Sequence, residues 1–174
     1  FDLWILQNDL TTKVAGLKFF NVFGPNEYHK EDMASLVYKA YFQIKETGKV
    51  RLFKSHRPDY ADGEQVRDFI YIKDCLDVIW WLLQNPKACG IFNLGTGRAR
   101  SWNDLVKIIF SSLNMKPKIE YMDIPEAIRR AYQYRTEAKM EKLRSLHGPL
   151  EFRPLEEAVK DYVCEYLEQN ISYL

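Results

Sequence analysis

With 174 residues, 47% of them hydrophobic and 14% aromatic, the chain has the size and apolar content of one folded domain, which excludes a disordered segment. Lys and Arg number 25 against 24 acids, so no field of one sign exists to attract nucleic acid or an anionic membrane. Cys75, Cys89 and Cys164 lie far apart with no Cys-x-x-Cys pair, and His29, His56 and His147 are scattered; this predicts reduced thiols, a cytoplasmic setting and no zinc site.

In chain order, residues 1–10 read as the end of a helix that begins in mid-stride on Phe1 without a capping residue, so sequence upstream is expected. Val14 to Asn21 is a short apolar run that fits one buried parallel strand, and Gly24-Pro25-Asn26 breaks it into a loop. Asp32 is placed to cap a helix whose apolar residues Met33, Leu36, Val37, Ala40 and Ile44 recur at helical spacing, with Gly48 ending it. Val50 to Phe53 reads as a strand. Lys54 to Val66, with Pro58, Asp59, Asp62 and Gly63, reads as an exposed loop.

Asp68 to Ile72 is a further predicted strand, and Asp74 a predicted cap for the helix after it. That helix is apolar on nearly every face from Cys75 to Leu83, which predicts burial, and Asn85-Pro86 stops it. Gly90 to Leu94 reads as a strand, Gly95-Thr96-Gly97 as a turn with Asn93 a candidate anchor, and Ser101 with Asp104 as the opening of a helix. Lys118 to Met122 is another strand. Thr136 opens a predicted helix ending near His147, and Pro154 opens the last one, with Leu155, Ala158, Val159, Tyr162, Val163 and Tyr166 on one face. Strands alternating with helices indicate an α/β fold with parallel pairing and no second domain boundary. No apolar run reaches the ~18 residues of a membrane span.

Three landmarks follow one another: Phe20-Asn21-Val22-Phe23-Gly24-Pro25, Arg67-Asp68-Phe69-Ile70-Tyr71-Ile72-Lys73-Asp74 and Phe92-Asn93-Leu94-Gly95-Thr96-Gly97. Each alone is shared by many sugar-nucleotide epimerases and dehydratases. With His29-Lys30, Met33-Ala34-Ser35 and Arg130-Ala131-Tyr132-Gln133 added, residues 10 to 168 resemble the ADP-L-glycero-D-manno-heptose 6-epimerase family of extended short-chain dehydrogenase/reductases. The resemblance implies the C-terminal part of a Rossmann-type doubly wound parallel sheet plus the small α/β substrate-binding domain, without the N-terminal dinucleotide-binding half. It implies NADP (or NAD) as cofactor, an ADP-heptose sugar nucleotide as substrate and a homo-oligomer in the bacterial cytoplasm serving lipopolysaccharide core synthesis. Nucleic acid and membranes are not expected partners.

Chemically, the resemblance implies that C6 of the heptose loses hydride to give a ketone and regains it on the opposite face. One acid/base is a tyrosine upstream of this chain; the other is a lysine that matches Lys30. Inversion presents the C6 oxygen in a second direction, so a second proton donor and acceptor is useful there. A lysine serves only where burial or nearby positive charge favours its neutral form.

Other roles carry over by position. Asn21 matches a substrate contact, Val22 a backbone contact to the cofactor that Lys30 also touches, and Arg67 the diphosphate-binding arginine. Phe53, Lys54, Ser55 and His56 match a segment around the nucleotide, and Tyr132 a substrate-binding tyrosine. Asp32 and Lys39 fall at substrate-binding positions but replace a small hydroxyl residue and a histidine; an acid beside a pyrophosphate is repulsive, which favours a helix cap for Asp32, whereas Lys39 is electrostatically acceptable.

Simpler alternatives stand beside these roles. Lys30 reads also as a solvated loop lysine, and Arg67 as an ion-pair partner of Asp68 or Glu64. Tyr41 and Lys45 spell a Tyr-x-x-x-Lys, the catalytic pair of the superfamily, but on the wrong side of the Asn-Val-Phe-Gly-Pro segment, which predicts packing and not catalysis. Functional alternatives are another nucleotide-sugar epimerase or dehydratase and a non-catalytic binding or assembly module.

Overall fold

The computed structural model describes residues 1–171. Helix α1 (Asp2–Gln7) leads through a tight turn to β1 (Ala15–Phe19), and β2 (Asn21–Phe23) follows at once. The expected single strand is therefore split. Phe20 is the joint: its N–H continues the ladder to Leu94, while its carbonyl accepts from Val22 N and turns the chain into a second sheet. Nor is β1 buried, for Ala15, Lys18 and Phe19 are exposed.

A 3₁₀ segment (Tyr28–Met33) precedes α2 (Leu36–Thr47). Ser35, not Asp32, caps α2, its Oγ accepting from Tyr38 N at 3.2 Å, and Met33 is 85% exposed instead of joining the apolar face. Gly48 ends the helix as expected, at φ 71° with its N–H on the Ile44 carbonyl. Then come β3 (Val50–Phe53), β4 (Val66–Tyr71), α3 (Ile72–Gln84), β5 (Gly90–Leu94), β6 (Ala99–Ser101) and α4 (Trp102–Ser112). β7 (Ile119–Met122) and two short helices, α5 (Glu126–Arg129) and α6 (Glu141–Arg144), lead to α7 (Leu155–Asp161), which continues as a wider turn over Tyr162–Leu167. The helix expected from Thr136 is reduced to α6, and Tyr71, not Asp74, occupies the cap position of α3.

β1 pairs with β5, β2 with β4, and β3 with β7, all parallel; β6 joins β4 antiparallel. β4 is buried on both faces, which explains its motif. Phe69 and Tyr71 enter a cluster with Val37, Ile44, Leu105, Phe110 and Val159, whereas Ile70 enters another with Cys75, Val78, Phe92, Leu94 and Met140. Each fully buried aliphatic or phenyl side chain contributes ~1.5–3 kcal/mol.

α3 departs from its expected burial. Cys75, Val78 and Leu82 pack inward, but Leu76, Trp80 and Leu83 are 54–70% exposed, and Leu3, Trp4 and Leu6 of α1 are exposed too. Among the described residues, β1 and β5 each also keep one edge without a strand partner.

Candidate active site

A cavity of about 1120 Å³ opens beyond the carboxyl ends of β1, β3 and β7, lined among others by Phe20, Asn21, Val22, Phe53, Met122 and Tyr132. Carboxyl ends of parallel strands, where the chain passes from one sheet to another, are where open α/β folds bind ligands. Its lining cations are Lys30, Lys39 and Arg51, and its lining acid is Glu27, whose oxygens are taken up by Ser35 and Gly24 N–H. The rim is thus electropositive and suits an anionic ligand.

The structure gathers Asn21, Val22, Lys30, Lys39, Phe53 and Tyr132 on this one cavity. Asn21 is steadied by its Nδ2 on the Asp68 carbonyl at 3.1 Å. Lys30 borders the cavity but is an exposed side chain on the 3₁₀ segment, without the burial expected of a catalytic lysine and as the solvated-loop alternative has it; Lys39 reaches back from α2 to donate to the Asp32 carbonyl.

Arg67 lies one layer behind. It is only 8% exposed, with its guanidinium carbon 5.4 Å from the ring centres of both Trp102 and Tyr132, and it donates to the Val66 and Gln133 carbonyls. Burial pulls its pKa below the ordinary arginine value, yet arginine stays charged at neutral pH. Among the described residues no carboxylate pairs with it, so the expected alternative of an ion pair with Asp68 or Glu64 is not realised. Its cross-strand neighbour Arg100, by contrast, pairs with Asp104 and Glu156.

Tyr132 accepts from Trp102 Nε1 at 3.1 Å and stands edge-on to Phe53; burial raises its pKa, so it presents a neutral phenol. Trp102 escaped the sequence reading, although an aromatic just after the helix-capping Ser101 was a usable signal. Cys75 also lines the cavity, but burial pushes its thiol up to about 12, so it packs as a neutral group.

Five proposed positions do not line the cavity: Arg67, set behind it, and four others. Lys54 faces Asp123 at 3.6 Å; Ser55 is tied to Asp62 and Arg57; His56 accepts from Ile124 N; the Asp32 side chain is exposed. The 54–66 loop is also less open than expected, since Gly63 and Gln65 are buried.

Asp68 is the residue sequence reasoning missed most. Fully buried on the opposite face of β4 from Arg67, it accepts from Thr96 N, Thr96 Oγ1, Gly97 N and Ala138 N at 2.7–2.9 Å. The anchor of the 95–97 turn is therefore Asp68; Asn93 instead donates to Lys139 O. A Cβ on Gly95 would stand 2.6 Å from the Asp68 carboxylate, so glycine is required. Because that carboxylate takes the turn's amides, Gly95-Thr96-Gly97 does not act as a phosphate loop. Tyr41 and Lys45 both bind Glu168, as packing residues do.

Residues 3–95, just over half the chain, match the NAD dependent epimerase/dehydratase family. The chain belongs to this family. Across its full length it is 56% identical to the ADP-L-glycero-D-manno-heptose-6-epimerase of Nitratidesulfovibrio vulgaris strain DP4 and 45% identical to that of Fusobacterium nucleatum, covering 54% of each. It thus spans about half the length of these relatives. The crystal structure of the Helicobacter pylori ADP-L-glycero-D-manno-heptose-6-epimerase superposes with a TM-score of 0.73 at 32% identity, over 94% of this chain and 48% of that one. The Thermotoga maritima UDP-glucose 4-epimerase, at 23% identity and TM-score 0.72, shares the fold. Membership of the epimerase/dehydratase family brings a nicotinamide cofactor, and among the described residues no helix is long and apolar enough to cross a membrane and no side-chain cluster could hold a metal.

Proposed function

We propose that this chain is the substrate-binding half of an enzyme that inverts C6 of ADP-D-glycero-D-manno-heptose through a 6-keto sugar. The observation that carries this reading is an exposed lysine bordering the cavity together with a buried arginine, set behind the cavity's Tyr132 and Trp102 wall, that has no carboxylate partner among the described residues. Burying an unpaired cation is costly unless an anion completes it, and a sugar-nucleotide diphosphate is such an anion. The relatives' printed names support the choice of sugar.

In this account Arg67, held flat between Trp102 and Tyr132, takes the diphosphate, and Phe53 packs beside the nucleotide. Asn21 and Tyr132 orient the sugar. Lys30 takes the proton of the C6 hydroxyl on oxidation or returns one to the ketone oxygen on reduction. When bound, NADP supplies the reversible hydride acceptor. The chain's own residues fit one wall of that site, since Asn21 and Val22 stand at the head of β2 on an electropositive rim, but the 95–97 turn is closed to phosphate. The dinucleotide is therefore held by a separate, N-terminal half, and the bare apolar face of α3 with the open edge of β1 is its docking surface. As the family resemblance implies, the enzyme is a homo-oligomer of the bacterial cytoplasm that serves lipopolysaccharide core synthesis.

The test is turnover by the intact enzyme, with C6 inversion followed by NMR. Conversion of ADP-heptose but not of UDP- or dTDP-hexoses supports the reading. Turnover of the hexoses refutes the substrate, and binding without turnover refutes catalysis. The 174-residue chain alone is expected to be inactive.

A further inference from the structure

Lys30 stands on a loop whose outer side chains, from His29 to Met33, are all exposed, so apolar packing does not aim it. The backbone that carries it is tied by the residue three positions earlier. Glu27 is 4% exposed, and its carboxylate accepts from Ser35 N at 2.6 Å, Ser35 Oγ at 2.7 Å and, more weakly, Gly24 N at 3.5 Å. One side chain thus joins the residue that opens the loop to the residue that caps α2. The Glu27 backbone carbonyl also accepts from Lys30 N at 3.0 Å.

The loop so closed is under strain. Glu31, directly after Lys30, has φ 46° and ψ −118°, a conformation that non-glycine residues keep only when their surroundings impose it. Gly24 permits the tight entry, since at φ 142° a Cβ would meet Ile72 at 2.3 Å. Among the described residues Glu27 has no cationic partner, so its burial is compensated by loop N–H and hydroxyl donors.

We propose that Glu27 is the positioning residue for Lys30: by clamping both ends of the 24–35 loop, its carboxylate holds the ammonium towards the cavity. The proposal rests on the reading of Lys30 as acid/base. Glu27 does not itself exchange a proton with substrate, because its oxygens are taken up by the loop.

The test compares Glu27→Gln, Glu27→Asp and Lys30→Ala in the intact enzyme, measuring kcat, KM, melting temperature and amide hydrogen exchange. Glutamine keeps the shape but turns a donor group towards donors. Its expected effect is a kcat ~10–100-fold lower, the cost of a reacting group misplaced by about 1 Å, with KM near the wild-type value. Exchange should quicken across residues 28–34 and stay unchanged in β1 and β5. Glu27→Asp, charged but one methylene short, should lose less in the same direction and gives the reading if the glutamine variant does not fold. Wild-type kcat in either folded variant, or unchanged exchange in the loop, overturns the proposal. Full activity of Lys30→Ala would instead sink the acid/base reading, and the exchange data would then still decide whether Glu27 holds the loop.

Discussion

Asp68 and Glu27 are both buried carboxylates with no cationic partner among the described residues, and each closes a piece of backbone that would otherwise splay. Asp68 binds three backbone N–H groups and a hydroxyl, and sits on the buried strand β4 among packed elements. Glu27 binds two N–H groups and a hydroxyl, one of these bonds is long, and the loop it closes faces solvent. The same chemistry serves two ends. One carboxylate closes a corner between β4, the 95–97 turn and Ala138; the other closes the loop that carries a reactive side chain, alongside the Lys39 bond to the Asp32 carbonyl and the Tyr28 bond to the Ile171 carbonyl. Loops that must meet substrate come from the less stable end of a structure.

Four perturbations would break or sharpen that contrast. The largest effect is expected from Lys30→Ala, which should lower kcat of the intact enzyme ~10³-fold, within the range of a lost general acid/base. Its melting temperature should not move; a matching loss of stability would mean that the loop belongs to the scaffold after all. Next, Asp68→Ala should leave the amides of Thr96, Gly97 and Ala138 unpaired and cost about 3 kcal/mol in urea denaturation. A cost below ~1 kcal/mol would erase the distinction between the two carboxylates.

Arg67→Gln should weaken nucleotide-sugar binding by about 2 kcal/mol, the worth of a charge-assisted hydrogen bond. Calorimetry should show the loss in affinity while kcat at saturation changes little. The smallest effect is expected far from the cavity. Tyr41→Phe should cost ~1 kcal/mol and leave turnover untouched, since the phenol serves Glu168 and not substrate. The bonds from Tyr41 and then Lys45 hold the Glu168 pKa below the ordinary glutamate value. A depressed folded pKa means that this contribution is present above the unfolded value of ~4.3 and fades as pH falls through the lower folded one. In Tyr41→Phe, Glu168 should titrate nearer the ordinary value by NMR; an unmoved titration would show that the hydrogen bond is not the cause.

Much of this was legible in the sequence where local chemistry and long-range packing agree. β3, β5 and β7, the Ser101–Asp104 cap and the Gly48 stop all follow from residue type at a short spacing. The opposite placement of Arg67 and Asp68 was missed because the strand was expected to begin at Asp68; β4 begins at Val66, and adjacent residues of a strand face opposite ways and cannot pair. Nor was the split at Phe20 legible, since an apolar run reads the same whether one sheet or two receive it. The α2 cap was misplaced at Asp32 because Asp and Ser share capping chemistry; what sets Ser35 there is Glu27, which holds it by both its N–H and its hydroxyl. Periodicity also overstated the burial of α3, because it reports an apolar face without saying what covers it.

The most direct check is a crystal structure of the intact enzyme with ADP-heptose bound. This account predicts the Lys30 ammonium within ~3.2 Å of the C6 oxygen, on a loop still closed by Glu27, with Arg67 on the diphosphate. A sugar whose C6 is out of reach of Lys30, with that ammonium turned into solvent, would contradict it.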